Sequence, residues 1–158
     1  MKLATFNVNS LKARLPIVLE WLAAHQPDVL CLQEIKGMDI PEMELRGAGY
    51  HIYAHTQKAY NGVMTLSRAE MNVVATTLPG FPDDEHARVM VTSFVTPTLT
   101  LPPSGGGNSS APTPLYIINI YAPNGNPVGT DKYTYKLRWL NALYNYLKDL
   151  REQGRDVW

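Results

Sequence analysis

The sequence predicts an α/β fold with a mixed, mostly antiparallel sheet and flanking helices. Two observations predict it. Residues 1–36 read as strand, helix, strand, with a polar residue ending each strand, and the rest is a series of short β-rich runs closed by one long amphipathic run after Thr130.

The first strand is the alternating stretch Lys2 to Asn9, rich in strand formers until its two Asn, Asn7 and Asn9, arrive. Ser10 caps a helix whose apolar residues Leu11, Leu15, Val18, Leu19 and Leu22 recur at helical spacing, and Pro27 closes it. Val29 to Leu32 is a short apolar run suited to a strand covered on both faces, and it stops at Gln33 and Glu34. If the two strands are neighbours, Asn7 and Glu34 share one rim of the sheet. A carboxylate and an amide oxygen there make an oxygen-only pocket suited to Mg²⁺ or Mn²⁺. The same residues also fit a turn at Asn7 and Asn9 and a solvated strand end at Glu34.

Gly37 to Gly49 reads as a short helix or loop, and Gly49 to His55 as a strand with His51 and His55 on one face. With no third ligand at suitable spacing, these are read as surface histidines rather than a zinc pair. Asn61-Gly62 signals a turn into the strand Val63 to Ser67, and Met71 to Thr77 gives another strand. Arg88 opens the β-rich run to Val95, where it either pairs with Glu85 or Asp84 or supports a site. Residues 102–114, rich in Pro, Gly and Ser, cannot bury a core and read as a flexible loop lengthening a hairpin, so 1–158 is taken as a single domain. The strand Leu115 to Tyr121 ends with its phenol at the same rim as Asn7 and Glu34, where tyrosines commonly serve packing. The last helix opens at Thr130 to Lys132, carries an apolar stripe of Leu137, Leu140, Leu143, Tyr144 and Leu147 with Trp139 and Tyr146 nearby, and ends at Gly154. Lys132 and Lys136 on its first turns either reach phosphates or are solvated.

Composition bounds the function. Hydrophobic residues at 45% support a globular class, and a net charge of zero does not announce nucleic acid, so any such contact must come from local clustering. The single cysteine, Cys31, sits in an apolar strand and reads as a buried, inert thiol. No targeting pattern opens the chain and no run approaches the roughly 20 apolar residues needed to span a bilayer, which makes the cytoplasm the expected compartment and leaves no membrane partner.

Five blocks in order carry a resemblance: Phe6 to Arg14, Gln26 to Lys36, Gln57 to Val63, Asp84 to Arg88, and Tyr121 to Gly129 with Lys132 and Tyr135 to Leu137. Together they resemble the first part of the exonuclease III family, Mg²⁺-dependent apurinic/apyrimidinic endonucleases of the endonuclease/exonuclease/phosphatase superfamily. The resemblance implies the N-terminal half of a four-layered, DNase I-like α/β sandwich. It implies phosphodiester hydrolysis in base excision repair, on double-stranded DNA at abasic sites or 3′ ends. It implies Asn7 and Glu34 as ligands for Mg²⁺ (or Mn²⁺), Tyr121 as a catalytic donor to the scissile phosphate, and Lys58, Asn61, Arg88, Lys132 and Lys136 near the DNA. The 102–114 loop is an insertion relative to that pattern.

The sequence departs from the family in lacking its later Gly-Asp-Phe-Asn and Ser-Asp-His blocks. A C-terminally truncated domain is therefore expected, impaired as a hydrolase, with a non-catalytic remnant that binds DNA or a partner as the alternative. The chain is also expected to supply roughly the first sheet only. Its apolar inner face would then be exposed and would favour self-association.

Overall fold

The computed structural model describes residues 1–95 and 114–158. The expected flexible loop lies, up to its last residue Pro114, outside the described residues. Along the chain the elements are β1 (Leu3–Asn7), α1 (Leu11–His25), β2 (Val29–Gln33), α2 (Glu42–Gly47), β3 (His51–His55), β4 (Val63–Ser67), β5 (Asn72–Ala75), β6 (Val89–Val95), β7 (Pro114–Ile120), α3 (Asp131–Glu152) and β8 (Asp156–Val157).

They form two four-stranded sheets, ordered β1-β2-β4-β3 and β5-β6-β7-β8. Each sheet has one parallel pair joined through a helix, β1 with β2 across α1 and β7 with β8 across α3, and its other pairs are antiparallel. The expected hairpin is present: β6 and β7 pair antiparallel from Val89 opposite Ile120 to Val95 opposite Pro114. The strand β8 was not foreseen, because two paired residues after Gly154 carry no periodicity to read.

Side-chain alternation sorts the strands into layers. Leu30 and Leu32 of β2 join Leu11, Val18 and Leu22 of α1 in one core cluster. On the outer face of the second sheet, Val89 and Val91 pack with Trp139, Ala142, Tyr146 and Leu150 of α3. Between the sheets, Val29 and Cys31 meet Leu115, Ile117 and Met71. The order is helix, sheet, sheet, helix, which is the four-layered sandwich.

Two expectations fail here for physical reasons. The chain does not supply only the first sheet. The segment from Asn72 builds its own sheet, which covers the inner face of the first, so Val29 and Ile117 are each 1% exposed. The apolar surface on which self-association was expected is thus buried within the chain. The stripe of α3 is also turned. Tyr135, Trp139, Ala142, Tyr146 and Leu150 face the sheet, while Leu137 and Tyr144 stand outward at 50% and 65% exposure. The large indole and phenol rings remove more apolar area from water than the leucines would, and their spacing is equally helical.

Helix ends follow their sequence signals. The Ser10 hydroxyl accepts from the Ala13 amide at 3.4 Å, and the Thr130 hydroxyl accepts from Tyr133 at 3.3 Å. Gly154, at φ +68°, takes the left-handed turn that follows α3. Among the described residues, no helix is long and apolar enough to cross a membrane.

Candidate active site at the rim of the sandwich

Inward-facing positions run as three stripes toward one end of the strands: Leu3, Thr5, Asn7 on β1; Val29, Cys31, Gln33 on β2; Leu115, Ile117, Asn119 on β7. Each begins apolar and ends in an amide. The next inward position after Asn119 is Tyr121, and the next residue after Gln33 is Glu34. The polar ends converge because β1 and β2 are parallel, with Asn7 opposite Gln33.

Beyond the strands the backbone stays tied. The Val8 amide donates to Gln33 at 2.9 Å, Ser10 to Glu34 at 2.7 Å and Leu11 to Ile35 at 2.9 Å. Asn9, Ser10, Glu34 and Lys36 all hold positive φ, at 43°, 89°, 54° and 51°. Non-glycine residues enter that region at an energetic cost, and here the hydrogen-bonded loops impose it.

The Asn7 amide nitrogen donates to Oε1 of Glu34 at 2.9 Å, while its oxygen accepts from the Asn9 amide at 3.2 Å. The Lys36 ammonium stands 3.3 Å from the other Glu34 oxygen and also donates to the Asn9 side-chain oxygen. The Asn7 bond, then Tyr121 and Lys36, hold the Glu34 carboxyl below its ordinary range against the opposing effect of burial. Tyr121 lies near that carboxylate, and burial first, then Glu34, push its phenol above the ordinary tyrosine value. Asn7, Glu34 and Tyr121, far apart in sequence, therefore form one cluster.

The expected flanking residues are distributed unequally. Arg88 does not pair with Asp84 or Glu85 among the described residues. Its guanidinium lies 4.9 Å above the Tyr121 ring and donates to the Tyr121 carbonyl oxygen at 3.2 Å, so it braces the phenol. Asp84 instead accepts from the Tyr135 hydroxyl at 2.9 Å. Asn61 is turned inward at 9% exposure, its amide donating to Gln57 Oε1 at 2.7 Å. Lys58 is exposed on that loop, Lys132 is exposed on the first turn of α3, and Lys136, on its second turn, is half-buried. His51 and His55 are half-buried rather than on the open surface, with a His55 ring nitrogen 3.2 Å from the Val89 carbonyl oxygen.

Sequence reading missed Lys36 and Asn9 at the rim, and the Gln33 and Asn119 pair beneath it. The signal for the pair was present: an amide stands at an inward position of each otherwise apolar strand. Among the described residues, no three His, Cys, Asp or Glu side chains gather as a metal site. The rim itself offers hard oxygen donors, an ionised carboxylate and the Asn7 amide, and these fit Mg²⁺ chemistry. The Asn7 oxygen would have to exchange its bond to Asn9 for the ion.

The layers, the strand order and the acid-amide-phenol rim define an α/β sandwich of the DNase I type. The chain belongs to the endonuclease/exonuclease/phosphatase family, whose sequence model matches residues 4–157. It is 28% identical over 160 residues to the exodeoxyribonuclease III of Haemophilus influenzae, covering 99% of this chain and 55% of that protein. An exodeoxyribonuclease of Bacillus subtilis is 27% identical, with 97% and 54% covered. Among solved structures, a Neisseria 3′ phosphatase bound to a product DNA hairpin superposes with a TM-score of 0.78 at 34% identity, covering 99% of this chain and 54% of that one. An AP endonuclease from Archaeoglobus fulgidus gives 0.75 at 36% identity, with 94% and 51% covered. The chain spans about half the length of the relatives it matches.

Proposed function

We propose that this chain carries the N-terminal share of a divalent-metal-dependent DNA phosphodiesterase of the exonuclease III kind, acting in base excision repair on abasic sites or 3′ ends of duplex DNA. The observation that carries the reading is the meeting of Asn7, Glu34 and Tyr121 at one solvent-facing rim. The family and its nuclease relatives support the reaction class.

In this reading Glu34 and Asn7 would hold Mg²⁺, with Mn²⁺ as the substitute, and the bound ion would supply charge that offsets the phosphodiester. Glu34 suits that role because the Asn7 bond keeps it ionised. The Tyr121 phenol, held protonated by burial and by Glu34, donates to a phosphoryl oxygen as charge develops there. Arg88 fixes the ring from above. Lys36, beside Glu34, would supply a positive charge close to the phosphate. Lys58, Lys132 and Lys136 supply basic charge along the DNA backbone, and Asn61 shapes the loop that carries Lys58.

The sequence lacks the blocks that supply a base for the attacking water, and removal of one such donor or base costs about two to four powers of ten in rate. The chain alone is therefore a strongly impaired hydrolase. A duplex with one abasic-site analogue, in Mg²⁺, is to be exposed to the chain alone and mixed with the C-terminal half of a family relative. Cleavage in the mixture that Glu34→Ala abolishes is the expected result. Cleavage indifferent to Glu34→Ala overturns the assignment. The competing reading is a non-catalytic DNA- or partner-binding module. It predicts duplex binding without cleavage in either sample.

A further inference from the structure

Beneath the rim, two amides join the sheets. Gln33 on β2 is 9% exposed and Asn119 on β7 is 2% exposed. The Gln33 amide nitrogen donates to Asn119 Oδ1 at 2.7 Å and to Thr5 Oγ1 at 3.0 Å, with the Cys31 carbonyl oxygen 3.2 Å away. The Asn119 amide nitrogen donates to the Met64 carbonyl at 2.8 Å and the Leu32 carbonyl at 3.2 Å. Leu32 and Met64 are opposite one another on β2 and β4, so a single side chain from the second sheet clasps two paired strands of the first.

We propose that the Gln33–Asn119 pair is a positioning device that fixes the register between the two sheets and thereby sets Tyr121 against Glu34. Among the remaining inter-sheet contacts, those of Val29, Cys31, Met71, Leu115 and Ile117 are apolar, and a His55 ring nitrogen lies 3.2 Å from the Val89 carbonyl oxygen. Apolar contacts are non-directional and tolerate sliding of one sheet over the other. A buried amide is directional, and a displaced one leaves donors unpaired at a cost of about 1–3 kcal/mol each. Buried polar groups that serve register in this way contribute specificity rather than net stability. Position matters as much as chemistry. Gln33 immediately precedes Glu34, and Asn119 lies two residues before Tyr121 on the same strand face, so the clasp is a side-chain-to-side-chain polar contact between the sheets next to the reacting groups. The inference rests on the rim being the reacting site, but the alignment it describes is measurable without activity.

The test is nuclear magnetic resonance on the 158-residue chain. Through-space contacts are recorded between the Tyr121 ring and the Glu34 side chain, and between Ile117 and Cys31 deeper in the core. In Asn119→Leu the deep contact is expected to persist while the Tyr121–Glu34 contact is lost. The exchanged pair Gln33→Asn with Asn119→Gln is expected to restore it in part. Should Asn119→Leu fail to fold, Gln33→Met serves: it removes the donation to Asn119 but leaves the Asn119 donations to Leu32 and Met64 in place, so a weakened Tyr121–Glu34 contact is expected, and an unchanged one overturns the proposal. A Tyr121–Glu34 contact that survives in the folded variant, with only the melting temperature moved, overturns the proposal. Mn²⁺-induced broadening in the unmodified chain separates the two claims: an intact contact without broadening at Glu34 removes the metal reading and leaves the positioning claim standing.

Discussion

Gly62→Ala is a small change with a large expected effect. Gly62 has φ +87°, and a Cβ built on it would stand 2.6 Å from Cγ1 of Ile35, inside van der Waals contact. Ile35 is buried at 3% exposure and its amide donates to the Gly62 carbonyl at 3.2 Å, so neither side yields easily. The left-handed backbone costs an L-residue about 1–2 kcal/mol, and forcing a methyl into a filled site adds about 1–3 kcal/mol. The expected loss is therefore about 2–5 kcal/mol, read from the urea midpoint with an unchanged slope. Because Ile35 is next to Glu34, the Asn7–Glu34 hydrogen bond should loosen as well, which the exchange rate of the Asn7 side-chain amide reports. A variant within about 0.5 kcal/mol of the parent would refute the reasoning, since that is the range of surface substitutions without structural consequence.

Burial pushes the Cys31 thiol up to about 11, so a disulfide reagent should react with it only as the chain unfolds. The proton is held more tightly in the folded chain than in the unfolded one, so the associated stability is intact below about pH 9 and falls as pH rises toward 11, by roughly 2–3 kcal/mol. Cys31→Ala should flatten that part of the profile. Tyr135→Phe deletes the 2.9 Å donation to Asp84 and should cost about 1–3 kcal/mol by thermal denaturation. It should also remove part of any alkaline loss, because burial and then Asp84 raise that phenol above its ordinary value.

What the sequence made legible follows from periodicity and local chemistry. The elements β1, α1, β2 and β4 were readable because their apolar residues keep one period and their ends carry Asn7, Ser10, Pro27 and Gly62. The meeting of Asn7 with Glu34 followed from two strands ending in polar residues, and that of Tyr121 from an apolar strand running into a turn. The second sheet was hidden for a different reason. β5 is four residues, β8 is two, and their pairing with β6 and β7 is long-range, which no local window reports. The face of α3 was misjudged because leucine and aromatic stripes overlap on the same helix, and only the sheet beneath decides between them. The inward turn of Asn61 and the use of Arg88 on Tyr121 depend on loops whose shape is set by tertiary contacts.

The most direct measurement of the central claim is a Mn²⁺ titration of the 158-residue chain followed by paramagnetic broadening, with Glu34→Gln alongside. The account predicts that resonances of Asn7, Glu34 and Tyr121 broaden first, that Mg²⁺ competes, and that Glu34→Gln abolishes the effect while keeping the fold. Broadening centred away from this rim, or undiminished in Glu34→Gln, would contradict it.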